Sequence, residues 1–521
     1  MRALAIEAEY DKREILQAYL NQVYYGHVDG LAVHGIGTAT RVYFSKSASR
    51  LSLAESALLA AIIQGPNRLS PVRHPERAKD RRDWVLSRME ELEWAGADEV
   101  RRAKRAPVKL RLESPDTAAP RDFLSWVNRA TREEAGDRLD RGRGVRVETT
   151  LDPYLQHVAE QAVSSRLHGL RRRERRLSRV PLAAALVALD ASNGDVLAYV
   201  GGDPDRRDDF DRARMAERQP GSTVKPFVLL EALGDCGARQ PLHAASRIAD
   251  EPLRIDLPSG PWEPENADGR YRGEIDLRTA LAESRNVPLV RVARWCGWTE
   301  TAGVFEAAGL DLPDEPPPSF VLGSIETTPL RLARAYTILS TQGDRLEPVP
   351  ARRIETPSGS RIWRSKKRKR RVASPAVTYL VRDMMRSAVA RGTANVAHAE
   401  GWDVAAKTGS TSELRDAWFA GHAGGVVTVV WVGIDDGSPL GLPGSAAAGP
   451  IWSEFMKVAV PARPYAGPGV PRRVVEKYIE PDTGLLVRKR NRRARKELFR
   501  EGALPPRDRF WRADRPVPVV R

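Results

Sequence analysis

The chain of 521 residues carries two cysteines, Cys236 and Cys296, 60 positions apart. That count excludes a zinc site built from cysteine pairs; spacing alone leaves a disulfide undecided, and buried free thiols are the plainer reading. Histidine is scarce as well, with eight. No H-E-x-x-H or G-x-S-x-G stretch surrounds any of them, which argues against a zinc protease and against a hydrolase whose serine depends on a histidine. Long hydrophobic runs are missing. The best candidate, "PLAAALVALDASNGDVLAYV", is cut by Asp190 and by a turn at Asn193-Gly194, short of the roughly 18 apolar residues a membrane helix needs. It reads as a β-hairpin. The first 25 residues lack the apolar core of a signal peptide, so the sequence as given shows no export device.

Positive charge is abundant. Lys and Arg outnumber Asp and Glu by 84 to 68, a net charge of +16. Much of it sits in runs, "RRRERR" from Arg171 and "KKRKRR" from Lys366. These read as solvated loops, with contact to an anionic membrane surface, anionic polymer or nucleic acid as the alternative. No familiar nucleic-acid module accompanies them, and a nucleic-acid partner is not expected. A hydrophobic fraction of 41% over this length is enough for two or three ordinary cores.

Residues 1–105 read as helical. Leu4, Ile15, Leu16, Tyr19, Leu20, Val23 and Tyr24 share a stripe, and Asp11 with Glu14 resembles a capping box. Ser52 and Glu55 form a clearer one ahead of "ALLAAIIQ", which stops at Gly65-Pro66. Residues 106–145 are polar, with Pro107, Pro115 and Pro120, and read as a connecting region. From 146 to 465 strands and helices alternate: a strand at "RVETTL", a helix from Pro153, the hairpin at Asn193-Gly194 and a helix opening near Ser222. Three late runs, "DVAAKTGST", "DAWFAGHA" and "GGVVTVVWVGID", suit an antiparallel meander. Residues 466–521, rich in Pro and Arg, suggest a small appendage or partly disordered tail.

Three short motifs carry chemistry. Ser222-Thr223-Val224-Lys225 is an S-x-x-K at a helix start, which sets the lysine amine beside the serine hydroxyl one turn away. The helix N-terminus adds partial positive charge where an alkoxide forms. Ser284-Arg285-Asn286 offers a hydroxyl to relay a proton and an amide to hold a peptide carbonyl. Lys407-Thr408-Gly409 lies in a predicted strand, where Gly409 admits a ligand backbone and Ser410 supplies an N–H. A lysine is a base only when neutral, and desolvation with a second cation, Lys407, pushes Lys225 toward that form. Neither a histidine nor a metal or cofactor is called for.

The order S-x-x-K, S-x-N, K-T-G is the motif set of penicillin-recognising serine enzymes, and the chain resembles the bifunctional, class A penicillin-binding proteins. The likeness to their transpeptidase domain runs through "VETTLDPYLQ", "LVALDASNGDVLAYVGG", "GSIETTPLRLARAYTILSTQG" and "DAWFAGHAGGVVTVVWVG". Residues 1 to about 90, with "YDKREILQAYLNQVYYG" and "GIGTATRVYFSKSASRLSLAESALLAAIIQGPNRLSP", are similar to the second half of the family's glycosyltransferase domain. The resemblance implies an α+β chain: a partial, all-helical, lysozyme-like glycosyltransferase remnant, then a serine β-lactamase/transpeptidase-like domain with an antiparallel sheet flanked by helices.

It also implies roles. Ser222 is acylated by the D-Ala-D-Ala end of a stem peptide, Lys225 takes its proton, and Ser284 passes a proton to the leaving amine. Asn286 binds the peptide backbone and Lys407 sets the local field. Thr408, Gly409, Ser410 and Thr411 meet the substrate and its carboxylate, and the N–H groups of Ser222 and Ser410 form the oxyanion hole. The implied partners are stem peptides and nascent glycan strands, with β-lactams as inhibitors. The implied location is the extracytoplasmic face of the bacterial membrane, reached through an upstream segment. The family's two functional glutamates are expected upstream of Met1; Glu7 and Glu9 read as helix-surface carboxylates and do not replace them. The alternatives are a D,D-carboxypeptidase, or an inactive fragment or scaffold of a split protein.

Overall fold

The capping box read at Ser52 and Glu55 is made. Glu55 N donates to Ser52 Oγ at 3.3 Å, and Ser52 N donates to Glu55 Oε2 at 2.8 Å. The computed structural model describes residues 11–28, 31–111, 120–136, 145–206, 210–238, 241–356, 359–462, 469–489, 491–507 and 519–520. They divide into two units, Met1–Ala119 with Val458–Pro464, and Pro120–Lys457 with Tyr465–Arg521.

The first unit contains helices α1 (Lys12–Gln22), α2 (Ile36–Phe44), α3 (Leu53–Ile62), α4 (Pro75–Glu91) and α5 (Ala97–Arg105). Ala57 of α3, Leu86 of α4, and Val100 and Ala103 of α5 form a buried cluster. To the helices the structure adds an antiparallel hairpin of β1 (Tyr24–Val28) and β2 (Leu31–His34). The aromatic pair Tyr24-Tyr25 favours extended backbone more than the helical stripe suggests, and Gly26, at φ +112°, absorbs a register shift. Leu4, Glu7 and Glu9 lie outside the described residues.

In the second unit, α6 (Arg121–Ala135) forms inside the stretch read as connecting. Its Phe123 and Val127 are buried, and Phe123 meets Tyr199 at 5.9 Å between ring centroids. The two larger sheets of this unit are built from β3 (Arg146–Thr149), β4 (Leu182–Asp190), β5 (Val196–Val200), β6 (Ala351–Glu355), β7 (Arg361–Arg364), β8 (Ala405–Ser410), β9 (Asp416–Ala423) and β10 (Val426–Ile434). They make a five-stranded antiparallel sheet, order β8-β9-β10-β4-β5, and a three-stranded one, order β7-β6-β3. Every residue of β4, β5, β9 and β10 is buried. The strands read as continuous apolar runs because helices cover both faces of the sheet.

The helices of this unit include α7 (Pro153–Arg173), α8 (Lys225–Ala232), α9 (Leu277–Ala282), α10 (Val287–Cys296), α11 (Pro329–Ser340), α12 (Pro375–Arg391) and α13 (Gly444–Ala462), of which α7, α11, α12 and α13 pack on the sheet. Cys236 and Cys296, left undecided by spacing, are bonded to each other. Strands Val474–Ile479 and Arg495–Arg500 pair, and Ile479 and Phe499 pack with Ala245. Among the described residues no helix is long and apolar enough to cross a membrane.

Candidate active site

Ser222 lies in a 3₁₀ turn, Gly221–Val224, that runs directly into α8 at Lys225. In a 3₁₀ turn residues three apart eclipse, so Ser222 and Lys225 share one face. Pro226 sits in the first turn of α8, where its missing N–H costs nothing. Gly221 has φ +53°, and a Cβ there would stand 2.5 Å from the Ser410 carbonyl oxygen of β8. The turn therefore presses against the strand, and only glycine lets it do so. Behind it, Tyr336 of α11 donates its hydroxyl to Thr223 O at 2.7 Å.

Ser284-Arg285-Asn286 links α9 to α10. Ser284 has φ +59°, left-handed backbone that a non-glycine residue holds only when its surroundings fix it. Here they do. Arg285 turns inward to a buried ion pair with Asp250, Nε to Oδ2 at 2.9 Å, and bonds Asp268 at 2.8 Å. Asn266 Oδ1 accepts from Asn286 N at 2.8 Å and Val287 N at 3.2 Å, while its amide donates to Asp250 Oδ1 at 2.6 Å.

Lys407, Thr408, Gly409 and Ser410 lie on β8, the outer strand of the five-stranded sheet. An outer strand leaves one row of backbone N–H and C=O groups unpaired by the sheet. Gly409 has no space for a Cβ, which would meet Pro220 O and Thr223 Cγ2. Thr408 Oγ1 donates to Thr393 Oγ1 at 2.8 Å, and Ser410 Oγ accepts from Gly444 N at 3.1 Å. Thr411 Oγ1 accepts from Asp416 N at 2.9 Å, which ties it into the turn before β9.

Two buried lysines join the three motifs. Lys225 Nζ donates to Ser284 O at 2.6 Å, Asn286 Oδ1 at 2.6 Å and Arg285 O at 3.1 Å, with Ser284 Oγ at 3.4 Å. Lys407 Nζ donates to the same Ser284 Oγ at 2.7 Å and to Thr408 O at 3.0 Å. Three short contacts to oxygen match the three donors an ammonium has. Lys225 faces Lys407 across one hydroxyl, with both side chains fully buried. Burial first, then the charges of Lys407 and Arg285, holds Lys225 well below the usual lysine range, and burial brings Lys407 down to about 7. Ser222 Oγ is half-buried and makes no hydrogen bond among the described residues, to Lys225 or otherwise.

Lys225, Ser284, Asn286 and Lys407 are thus linked in one chain of hydrogen bonds through Lys225 Nζ and Ser284 Oγ, and Gly221 brings the Ser222 turn against Ser410. Sequence reasoning missed Asn266, Asp250 and Thr393, which hold these groups in place. Only Arg285 carried a signal, as the unspecified middle residue of S-x-N. Among the described residues no group of His, Cys, Asp or Glu could hold a metal ion.

The family model described as transglycosylase matches residues 1–90, and the penicillin-binding protein transpeptidase domain matches residues 184–457. Penicillin-binding protein 1B of Vibrio cholerae is 33% identical over 465 residues, covering 88% of this chain and 59% of its own length. Penicillin-binding protein 1A of Aquifex aeolicus is 30% identical over 535 residues, covering 88% of this chain and 72% of its own. The solved structure of the PonA1 protein from Mycobacterium tuberculosis in complex with penicillin V superposes with a TM-score of 0.58 at 26% identity, covering 69% of this chain and 99% of that one. The chain spans little more than half the length of the Vibrio relative. With a helical glycosyltransferase-like region followed by a sheet-and-helix transpeptidase domain, the chain belongs to the class A penicillin-binding protein family.

Proposed function

We propose that this chain is a serine D,D-transpeptidase that cross-links peptidoglycan stem peptides and is acylated by penicillin at Ser222. The single observation that carries the reading is the shared hydroxyl of Ser284, set between Lys225 Nζ at 3.4 Å and Lys407 Nζ at 2.7 Å. That arrangement supports a proton path from Lys225 through Ser284 to a leaving amine without a histidine.

Ser222 Oγ attacks the carbonyl of the penultimate D-alanine as neutral Lys225 takes its proton. The N–H groups of Ser222 and Ser410 hold the oxyanion. The C–N bond breaks, and the leaving D-alanine receives the proton from Lys225 through Ser284. A stem-peptide amine from a neighbouring strand then attacks the ester; its proton returns to Ser222 by the same route. Outer strand β8 binds the donor peptide in extended form. Asn286 orients the peptide backbone, and Lys407 with the hydroxyls of Thr408, Ser410 and Thr411 attracts the terminal carboxylate. The buried Cys236–Cys296 bond supports work outside the cytoplasm, where disulfides persist.

Labelled penicillin tests the reading. The wild-type chain takes up covalent label and Ser222→Ala takes up none while keeping its circular dichroism spectrum. Label retained by Ser222→Ala would falsify the assignment. Mass analysis of products from a donor and an amine acceptor then separates a cross-linked dimer from the shortened monomer a carboxypeptidase would release.

A further inference from the structure

The second unit holds a groove of about 700 Å³ that contains none of the residues of the candidate active site. It runs between helix α6 and the small sheet β7-β6-β3, with Thr131 on the helix side and Ile354 on the sheet side. Its size falls within the range of ordinary ligand sites.

Three observations bear on what it binds. Thr131 lines the groove and is 6% exposed, and just beneath that lining its Oγ1 is buried with no hydrogen-bond partner. A buried hydroxyl without a partner is costly and marks a position where a ligand group completes the set. The six consecutive residues Arg361 to Lys366 all line the groove. Successive side chains of a strand point to opposite faces, so a cavity confined to one face would touch alternate residues. The groove therefore reaches from the β6 side to the outer edge of β7, which among the described residues pairs only with β6 and offers unpaired backbone N–H and C=O groups.

The third observation is charge. The carboxylates of the rim are largely taken: Glu134 pairs with Arg368 at 3.0 Å, and Glu347 pairs with Arg334 at 3.2 Å and Arg345 at 3.1 Å. Arg361, Arg364 and Lys366 are exposed and have no carboxylate among the described residues. Among the described residues of the lining, the one acid without an ion pair against these three cations is Glu133. The basic run that begins at Lys366 is therefore only partly neutralised within the fold, where Lys369 and Arg371 pair with Asp344.

We propose that this groove is a docking site for an extended acidic segment of a partner protein. The segment adds as a strand along β7. One of its apolar side chains enters between α6 and Ile354, a polar atom reaches Thr131 Oγ1, and its carboxylates face Arg361, Arg364 and Lys366. The backbone edge decides for a peptide over an anionic polysaccharide, because only a peptide presents matching donors and acceptors at strand spacing. The inference is independent of the chemistry at Ser222.

A random dodecapeptide display library panned on the full chain tests it. Selected peptides are expected to place Asp or Glu beside an apolar residue. A synthetic copy of a selected peptide is then titrated by fluorescence anisotropy. Binding is expected to weaken roughly tenfold or more for the Arg361→Glu, Arg364→Glu double variant, the scale of losing a principal anchor. Lys366→Glu, wholly on the surface, provides a second variant, and unchanged labelling by penicillin shows that both variants are folded. Three results overturn the proposal: no selected peptide; peptides that bind the variants as well as the wild type; or polygalacturonate, a polyanion without a peptide backbone, binding with the same dependence on Arg361 and Arg364.

Discussion

A lysine amine that donates to three carbonyl oxygens is poised as a cation, yet a general base must be neutral. The resolution at Lys225 is its burial, reinforced by Lys407 and Arg285, which together lower the cost of losing the proton. Lys407, brought to about 7 by burial alone, is the partner expected to keep its charge when Lys225 is neutral. The two titrate as a unit. Acylation by labelled penicillin should therefore rise with pH as the pair gives up its first proton and fall as it gives up the second. Lys407→Arg should remove the falling limb, since a guanidinium stays charged; a limb that persists in that variant assigns it elsewhere. Asn266→Ala strips the acceptor from Asn286 N and Val287 N. Leaving such groups unpaired costs on the order of 1–3 kcal/mol, so stopped-flow acylation should slow roughly tenfold or more. The motif letters named Lys225, Ser284, Asn286 and Lys407. They could not name Asn266 or Asp250, which sit on an upstream loop and at the end of the strand Arg247–Asp250, both brought against the Ser284 turn only by the fold.

The elements that carry these residues meet through glycine. Gly221 allows the 3₁₀ turn to touch Ser410, and any side chain there meets a carbonyl on a rigid strand as well as an unfavourable φ of +53°. Gly221→Ala is expected to abolish penicillin labelling and lower the melting temperature by several degrees, read by calorimetry. The disulfide acts at the opposite ends of two such elements. Helix α8 begins at Lys225 and α10 begins just after Asn286, and the chain beyond α8 is bonded to the last residue of α10. Closing a loop of 60 residues stabilises by about 4 kcal/mol on the chain-entropy estimate. Cys236→Ala with Cys296→Ala should lose much of that in urea unfolding, and dithiothreitol should have the same effect on the wild type. Undiminished stability in both would remove the disulfide as a brace. At this scale the strand bearing Lys407, the Asn193-Gly194 hairpin and the capped helix α3 were legible, because each is fixed by local pattern. Helix α6 was not: the prolines before it and its charges read as a connection, and it forms where Phe123 and Trp126 pack on Tyr199 with Val127 and Ala135 buried beside them.

Over the whole molecule, the sheet is buried on both faces, and it takes polar groups inside with it. His422 of β9 is 4% exposed, with Arg382, Arg386 and Asp403 as its charged neighbours. Burial first, then Arg382, lowers its imidazole from 6.5 to about 3. Below pH 6.5 the unfolded chain binds a proton that the folded chain refuses until about pH 3. Stability should therefore fall as pH drops through that window, by about 1.4 kcal/mol per pH unit from this residue. Urea unfolding at pH 7 and pH 5 measures it, and His422→Gln should flatten the dependence. An unchanged slope in that variant would show that carboxylates such as Asp403 govern the acid limb.

Local pattern alone determined the kinds of elements, the three motifs and their order along the chain, because capping, alternation and turn chemistry act within a few residues. Tertiary structure alone decided that two lysines 182 positions apart share one serine hydroxyl. It also decided that Cys236 reaches Cys296 and that the basic run at Lys366 borders a groove. Those outcomes rest on which surfaces are driven together when the sheet and its helices exclude water, and no stretch of a dozen residues carries that information.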